Sequence, residues 1–136
     1  TVPFNAKTLQ ESPTSVNVFT AEEYFIPFMQ ERIIERYGDE VEVRTWGGPT
    51  PTLEIVAAGI QKAMGVEEIA NYYKISRENI IAFGDEANDY EMIQYAGLGV
   101  VMKNGIDGLK EVSDDITPYT NHEHGLAKYL TEYFNL

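Results

Sequence analysis

The rhythm of apolar and polar residues along this chain changes once, near Ala58-Gly59. Before that point, Ser15-Val16-Asn17-Val18-Phe19 alternates as a half-buried strand does. Thr20-Ala21-Glu22-Glu23 has capping-box spacing, with Thr20 as the cap and Glu23 reaching back to its amide. A helical period then runs to Tyr37-Gly38 and places Phe25, Phe28, Met29, Ile33 and Ile34 on one face. Pro27 inside it predicts a kink or a fresh start. Val41 to Trp46 alternates again, Gly47-Gly48-Pro49 predicts a turn, and Thr52 to Ala57 a further strand. Strand, helix, strand, strand is an α+β arrangement with antiparallel pairing.

After the change the periods interleave. Ile60 to Tyr73 is helical, and Asn79 to Phe83 is a short apolar run rich in strand formers. A helix from Tyr90 stops at Gly97, and Leu98 to Met102 reads as a strand. Ile106 to Val112 is a helix, Ile116-Thr117 a short strand and Glu123 to Phe134 a last helix. Strands alternating with helices predict a parallel sheet covered on both faces. The boundary is expected between Ala57 and Ile60, dividing the chain into 1–57 and 58–136.

Composition narrows this picture. The 43% hydrophobic and 24% charged content belong to a globular chain, not a disordered one. Ten basic residues against twenty-two acidic ones leave a net charge of −12. That field opposes nonspecific binding to nucleic acid or an anionic membrane, so neither is expected as a partner. It also repels phosphate, so a phosphate site needs a local cation. There is no cysteine, hence no disulfide frame and no thiol chemistry. No apolar run reaches membrane-spanning length and no signal peptide opens the sequence, which makes a cytoplasmic protein the expectation. The chain begins with Thr, so a partial chain is expected.

The chemistry gathers in Gly84-Asp85-Glu86-Ala87-Asn88-Asp89, between the strand at Asn79 and the helix at Tyr90. In open α/β sheets that carboxyl edge is where ligands bind. Two readings fit the six residues. One is an exposed acidic turn with Asn88 or Asp89 capping the helix. The other is a loop whose carboxylates, with phosphate oxygens and water, hold Mg²⁺. On the second, Asp85 follows the strand directly and coordinates the ion. Asp89 approaches the ion or holds its waters. The neutral amide of Asn88 donates to a phosphate oxygen. Gly84 gives the loop its geometry, letting the backbone turn close to the ion. Lys62 reads by itself as a solvated helix lysine.

Strand, Gly-Asp-x-x-Asn-Asp, then a helix ending in Ala96-Gly97 resembles the fourth motif of the haloacid dehalogenase superfamily. More narrowly, it is similar to the Cof-type phosphatases with a large inserted cap. The resemblance implies an α/β fold: the C-terminal part of a HAD-like Rossmannoid parallel-sheet core, preceded by the end of an α+β cap. It implies that Lys62, in Gln61-Lys62-Ala63 where the family has Lys-Gly, is catalytic and contacts the transferring phosphate. Downstream, Ala96 to Gly105 matches the family's strand and turn, with Lys103 standing where glycine is usual. Asn121 to Leu126 matches a closing Asn-x-x-x-Gly stretch, in which Asn121 orients the acidic loop or caps the last helix. His122 and His124, two apart, read as surface residues, and Tyr72, Tyr73, Tyr129, Tyr133 and Phe134 as packing.

The family's nucleophile is the aspartate of an Asp-x-Asp stretch that precedes the cap, and no Asp-x-Asp occurs in this chain. The resemblance therefore implies part of a Mg²⁺-dependent phosphatase of a small phosphorylated metabolite, inactive by itself. The alternatives are a noncatalytic binding or regulatory module of the same fold, and a receiver-like domain with an acidic pocket. Without its neighbour, the strand at Asn79 to Phe83 is expected to present an open edge. That edge would then self-associate or retain an N-terminal fragment.

Overall fold

Alternation over Val41 to Trp46 and Thr52 to Ala57 calls for two strands with one face covered, and that is how the first part of the chain is built. In the computed structural model, which describes residues 13–20, 24–46 and 51–136, the chain divides into two units, Thr1–Ile60 and Gln61–Leu136. The first holds β1 (Ser15–Phe19), α1 (Phe25–Tyr37), β2 (Val41–Trp46) and β3 (Thr52–Ala57). β3 is central and antiparallel to both neighbours, with Ile55 opposite Val16 on one side and Val43 on the other. Leu53 is fully buried there.

Two expectations for this unit change. Pro27 kinks nothing: it is the third residue of α1, where the backbone N–H has no intrahelical partner to lose. The apolar face is also rotated. Ile26 is the buried residue and Met29 and Ile33 are half-buried, a stripe at i, i+3 and i+7, whereas Phe25, Phe28 and Ile34 are exposed. The aromatic members lean on each other instead, Tyr24 on Phe25 at 5.1 Å and Phe25 edge-on to Phe28 at 6.3 Å. Glu23 of the expected capping box and the Gly47-Gly48-Pro49 turn lie outside the described residues.

The second unit holds α2 (Lys62–Tyr73), β4 (Ile81–Gly84), α3 (Tyr90–Tyr95), β5 (Leu98–Val101), α4 (Asp107–Lys110), β6 (Asp115–Ile116) and α5 (Gly125–Phe134). Its sheet is parallel in the order β4-β5-β6. Successive strand residues point to opposite faces, and Val100 and Val101 are both fully buried, so the middle strand is covered on both sides. Ala82, Ile93, Ala96, Val101 and Leu109 form one core cluster. This is an α/β fold.

Small differences remain. β6 starts one residue before the predicted strand, and α5 starts two residues late. A 3-10 turn over Asn121–Glu123 precedes α5 and is closed by a capping box between Thr120 and Glu123. Tyr72 and Tyr73, expected to pack, are exposed, while Tyr129 is buried against Phe83 with Tyr133 stacked on it. Among the described residues β4 pairs with β5 alone, so its other side is open. No helix among them is long and apolar enough to cross a membrane.

Candidate functional site

The carboxyl end of β4 is fixed by backbone before any side chain acts. The Gly84 carbonyl accepts from the Met102 amide at 2.9 Å, and the Asp85 carbonyl from the Ile106 amide at 3.0 Å. Asp85 is thereby pinned beside the turn between β5 and α4. A single 3-10 turn, Ala87–Asp89, then leads into α3.

Asp89 folds back across that turn. Its Oδ2 accepts from the amides of Asp85, at 2.9 Å, and Glu86, at 3.2 Å, and its Oδ1 accepts from Lys62 Nζ. Asp89 is only 4% exposed. A buried carboxylate is costly unless it is both paired and hydrogen-bonded, and here both oxygens are occupied. This carboxylate therefore acts as a strut, tying α2 to the loop. The strut explains Gly84: a Cβ there would lie 2.6 Å from Asp89 Cβ and 2.9 Å from its Oδ2. The glycine is required by close approach, since its φ is not positive.

Lys62 is the first residue of α2, whose first turn carries no acid. A cation there opposes the helix dipole, and Asp89 supplies the compensation the helix lacks. An ammonium has three N–H donors, so Lys62 keeps donors for a ligand after serving Asp89.

Lys62, Gly84, Asp85 and Asp89 line one cleft of about 690 Å³, over an apolar wall of Phe83, Met92 and Met102. Asn88, half-buried on the 3-10 turn, is not among its lining residues. Asn121 and His124 are. They come from the loop before α5, which is anchored by Asn121 N donating to Asn104 Oδ1 at 2.8 Å and by the Thr120–Glu123 capping box. The Thr120 amide, then its hydroxyl, holds the Glu123 carboxyl below its usual range. Thr120-x-x-Glu123 is a capping-box spacing and was the signal in the sequence for that loop. Lys103 is exposed and outside the cleft.

The donor set suits magnesium through Asp85 first, with the remaining lone pair of Asp89 Oδ1 open to the ion or its waters. Among the described residues no three His, Cys, Asp or Glu side chains gather as a cage. Asp89 spends Oδ2 on two amides and one lone pair of Oδ1 on Lys62, whereas the half-buried Asp85 carboxylate has no hydrogen-bond partner among the described residues. One free carboxylate at the edge of a cleft fits an ion that keeps its waters and shares oxygens with a phosphate, which is the habit of Mg²⁺.

A lysine and a free carboxylate at the carboxyl edge of a parallel sheet define an α/β protein of the kind that binds ligands in that crevice. The haloacid dehalogenase-like hydrolase family matches residues 2–130, and the chain belongs to it. It is 42% identical over 130 residues to the 5-amino-6-(5-phospho-D-ribitylamino)uracil phosphatase YitU of Bacillus subtilis, covering 96% of this chain and 47% of that protein. It is 35% identical to YcsE of the same organism, a phosphatase of the same compound, over 75% of this chain and 41% of the relative. Among solved structures, a haloacid dehalogenase-like hydrolase from Bacteroides thetaiotaomicron superposes with a TM-score of 0.80 at 27% identity, over 93% of this chain and 46% of that one. TM0651 from Thermotoga maritima superposes with a TM-score of 0.72 at 30% identity, over 88% and 43%. The chain thus spans about half the length of the relatives it matches.

Proposed function

We propose that this chain is the C-terminal portion of a Mg²⁺-dependent phosphatase of a small phosphorylated metabolite, residues 1–57 closing its cap and 58–136 its core. The observation that carries this reading is the Lys62–Asp89 pair beside a free Asp85. Asp85 would hold the ion, which when bound neutralises and aligns the phosphate. Asp89 fixes Lys62 so that its remaining N–H groups meet a phosphate oxygen, stabilising charge that builds in the transition state. Asn88, which does not line the cleft in this structure, would turn inward from the 3-10 turn to serve the same anion when it binds. The attacking aspartate, and the phospho-aspartyl intermediate it forms, are assigned outside residues 1–136, because no Asp-x-Asp occurs within them. The open side of β4 takes up a further strand, from preceding sequence or from a second copy.

Since two relatives are phosphatases of 5-amino-6-(5-phospho-D-ribitylamino)uracil, that compound is the first to assay. The protein carrying this chain with its preceding sequence is expected to release phosphate from it, or from another small phosphate ester, only with Mg²⁺. Residues 1–136 alone are expected to give no turnover with p-nitrophenyl phosphate. Robust turnover by the isolated chain, lost in Asp85→Asn, would refute the placement of the nucleophile. A longer protein inert toward every phosphate ester would refute the phosphatase reading.

A further inference from the structure

Of the polar residues lining the cleft, Asn121 and His124 have no part in the proposed phosphate chemistry, and His124 has the more unusual backbone. It closes the 3-10 turn and opens α5 with φ 61° and ψ 36°, in the left-handed region. Glycine adopts that conformation freely, and an L side chain only at a cost. The two other described non-glycine residues with positive φ, Lys74 and Asn135, end α-helices, where such a residue is ordinary. His124 instead sits in the cleft with Lys62 and Asp85.

The backbone around it leaves little choice of path. Gly125 N donates to Thr120 O at 2.9 Å, and a Cβ on Gly125 would meet Tyr119 O at 2.4 Å. Lys128 N donates to His124 O at 3.0 Å. The chain is held on both sides of His124, yet its imidazole has no hydrogen-bond partner among the described residues. His124 is exposed at the rim of the cleft, and an uncommitted polar side chain held there by a fixed left-handed backbone is a pointer to function.

The cleft also lacks donors for an anion. Its lining includes one cation, Lys62, against two carboxylates, Asp85 and Asp89, and part of the lysine is spent on Asp89. Lys103 and Lys128, whose charges act on neighbouring Glu123, do not line it. Lys62 and Asn121 in the lining, with Asn88 from outside it, offer few donors against the acceptor lone pairs of a phosphate. An imidazole presents an N–H donor in either tautomer.

We propose that His124 is a ligand-contacting residue of this cleft, donating an imidazole N–H to an oxygen of the bound phosphate. The proposal rests on the phosphate-site reading and adds a contact from the α5 side of the cleft. It is tested by titrating the intact chain with inorganic phosphate in the presence of Mg²⁺ near neutral pH, following the backbone amide resonances of Gly84 and Asp85. The variants are His124→Gly, His124→Asn and Lys62→Ala. Glycine removes the imidazole while suiting the positive φ, so its thermal midpoint should match or exceed that of the parent chain. Its phosphate affinity should fall roughly ten-fold, as expected for losing a hydrogen bond to a charged group. Asparagine tolerates the same backbone and keeps a donor, so it should lie between the two. Should the glycine variant lose stability, the asparagine variant decides: affinity equal to that of His124→Gly overturns the contact. Phosphate binding that is Lys62-dependent but unchanged in His124→Gly overturns this inference and leaves the phosphate site standing. Binding that is absent, or indifferent to Lys62→Ala, brings down the site and the inference together.

Discussion

The two units spend similar kinds of residue in different ways. In the second, Val100, Val101, Ile93 and Leu109 are at most 1% exposed, and neighbouring strand residues are sealed on opposite faces. In the first, among the described residues, Leu53 alone is sealed to that degree. Exposed aromatics occur in both units, Phe19, Tyr24 and Phe28 in the first and Tyr72, Tyr73 and Phe134 on helices of the second. A parallel sheet has to be covered on both faces, whereas an antiparallel sheet with one helix on it does not. Covering both faces fixes register and loop position tightly, and a site built on such ends is held more exactly than one on loops alone. The candidate cleft is on the unit with the sealed core.

The largest expected effects therefore fall on the second unit's site. In the protein that carries this chain, Lys62→Ala should lower kcat by roughly 10²–10³, the range for losing one donor to transition-state charge, at unchanged Mg²⁺ dependence. Asp85→Ala should instead raise the Mg²⁺ concentration for half-activity by about ten-fold or more, because a hard cation loses its charged ligand. Phe28→Ala, in the first unit, should leave kcat within a few-fold. Steady-state rates across a magnesium titration separate the three. Identical titrations for the two site variants would refute the division of roles, and a Phe28 effect as large as that of Lys62 would break the contrast between the units.

Stability should divide along the same line. Leu109→Ala opens a cavity in a closed core and should cost about 3 kcal/mol. Phe28→Ala, at 56% exposure, should cost no more than about 1 kcal/mol. Urea unfolding followed by a probe in each unit measures both. A Phe28 cost matching that of Leu109 would mean that its exposed face is covered in solution.

This contrast also explains what could be read from the sequence. The parallel sheet was legible because Asn79 to Phe83 and Leu98 to Met102 are unbroken apolar runs between helical periods, a pattern that two-sided burial imposes. The acidic loop was legible as candidate chemistry through its place at a strand end, whereas Lys62 reads as an ordinary helix lysine and stands out only through the family resemblance. The face of α1 was misread because Phe25, Phe28 and Ile34 widen its apolar arc beyond the stripe that packs, and period alone cannot say which part of a wide arc is buried. The role of Asp89 was hidden for a different reason. Nothing in the spacing of 62 and 89 reveals that one carboxylate meets both a helix-start lysine and two amides of its own loop. His124 reads as a surface residue and is exposed; that it also lines the cleft has no local signature, because the wall is made from two distant loops.

Gly84→Ala tests the strut with a smaller change. The added methyl would collide with the Asp89 side chain, which is held on three sides and cannot simply swing away. We expect a loss of about 1–3 kcal/mol, typical of overpacking, together with weaker phosphate binding as Lys62 is released. A Gly84→Ala chain as stable as its parent would show that the loop is softer than the sealed-core comparison requires.

The smallest expected effect lies in how α5 is fastened to the sheet. Tyr129 is buried, its ring is edge-on to Phe83 at 5.5 Å, and its hydroxyl donates to Asp115 Oδ2 at 2.8 Å. Burial first, then the bond to Asp115 and its charge, push the phenol up from 10 to about 12. Between those values the folded chain keeps a proton that the unfolded chain has lost. Stability from this group is thus fully present below pH 10 and declines as pH rises toward 12. Tyr129→Phe removes the hydrogen bond and should cost about 1 kcal/mol at neutral pH. It also removes the titration, so the gap between parent and variant should narrow as pH climbs above 10. Urea midpoints of the two chains, measured near pH 7 and near pH 11, read this directly. A gap that stays constant across that interval would mean that the hydroxyl is not held against Asp115, and that α5 is fastened by its aromatic stack alone.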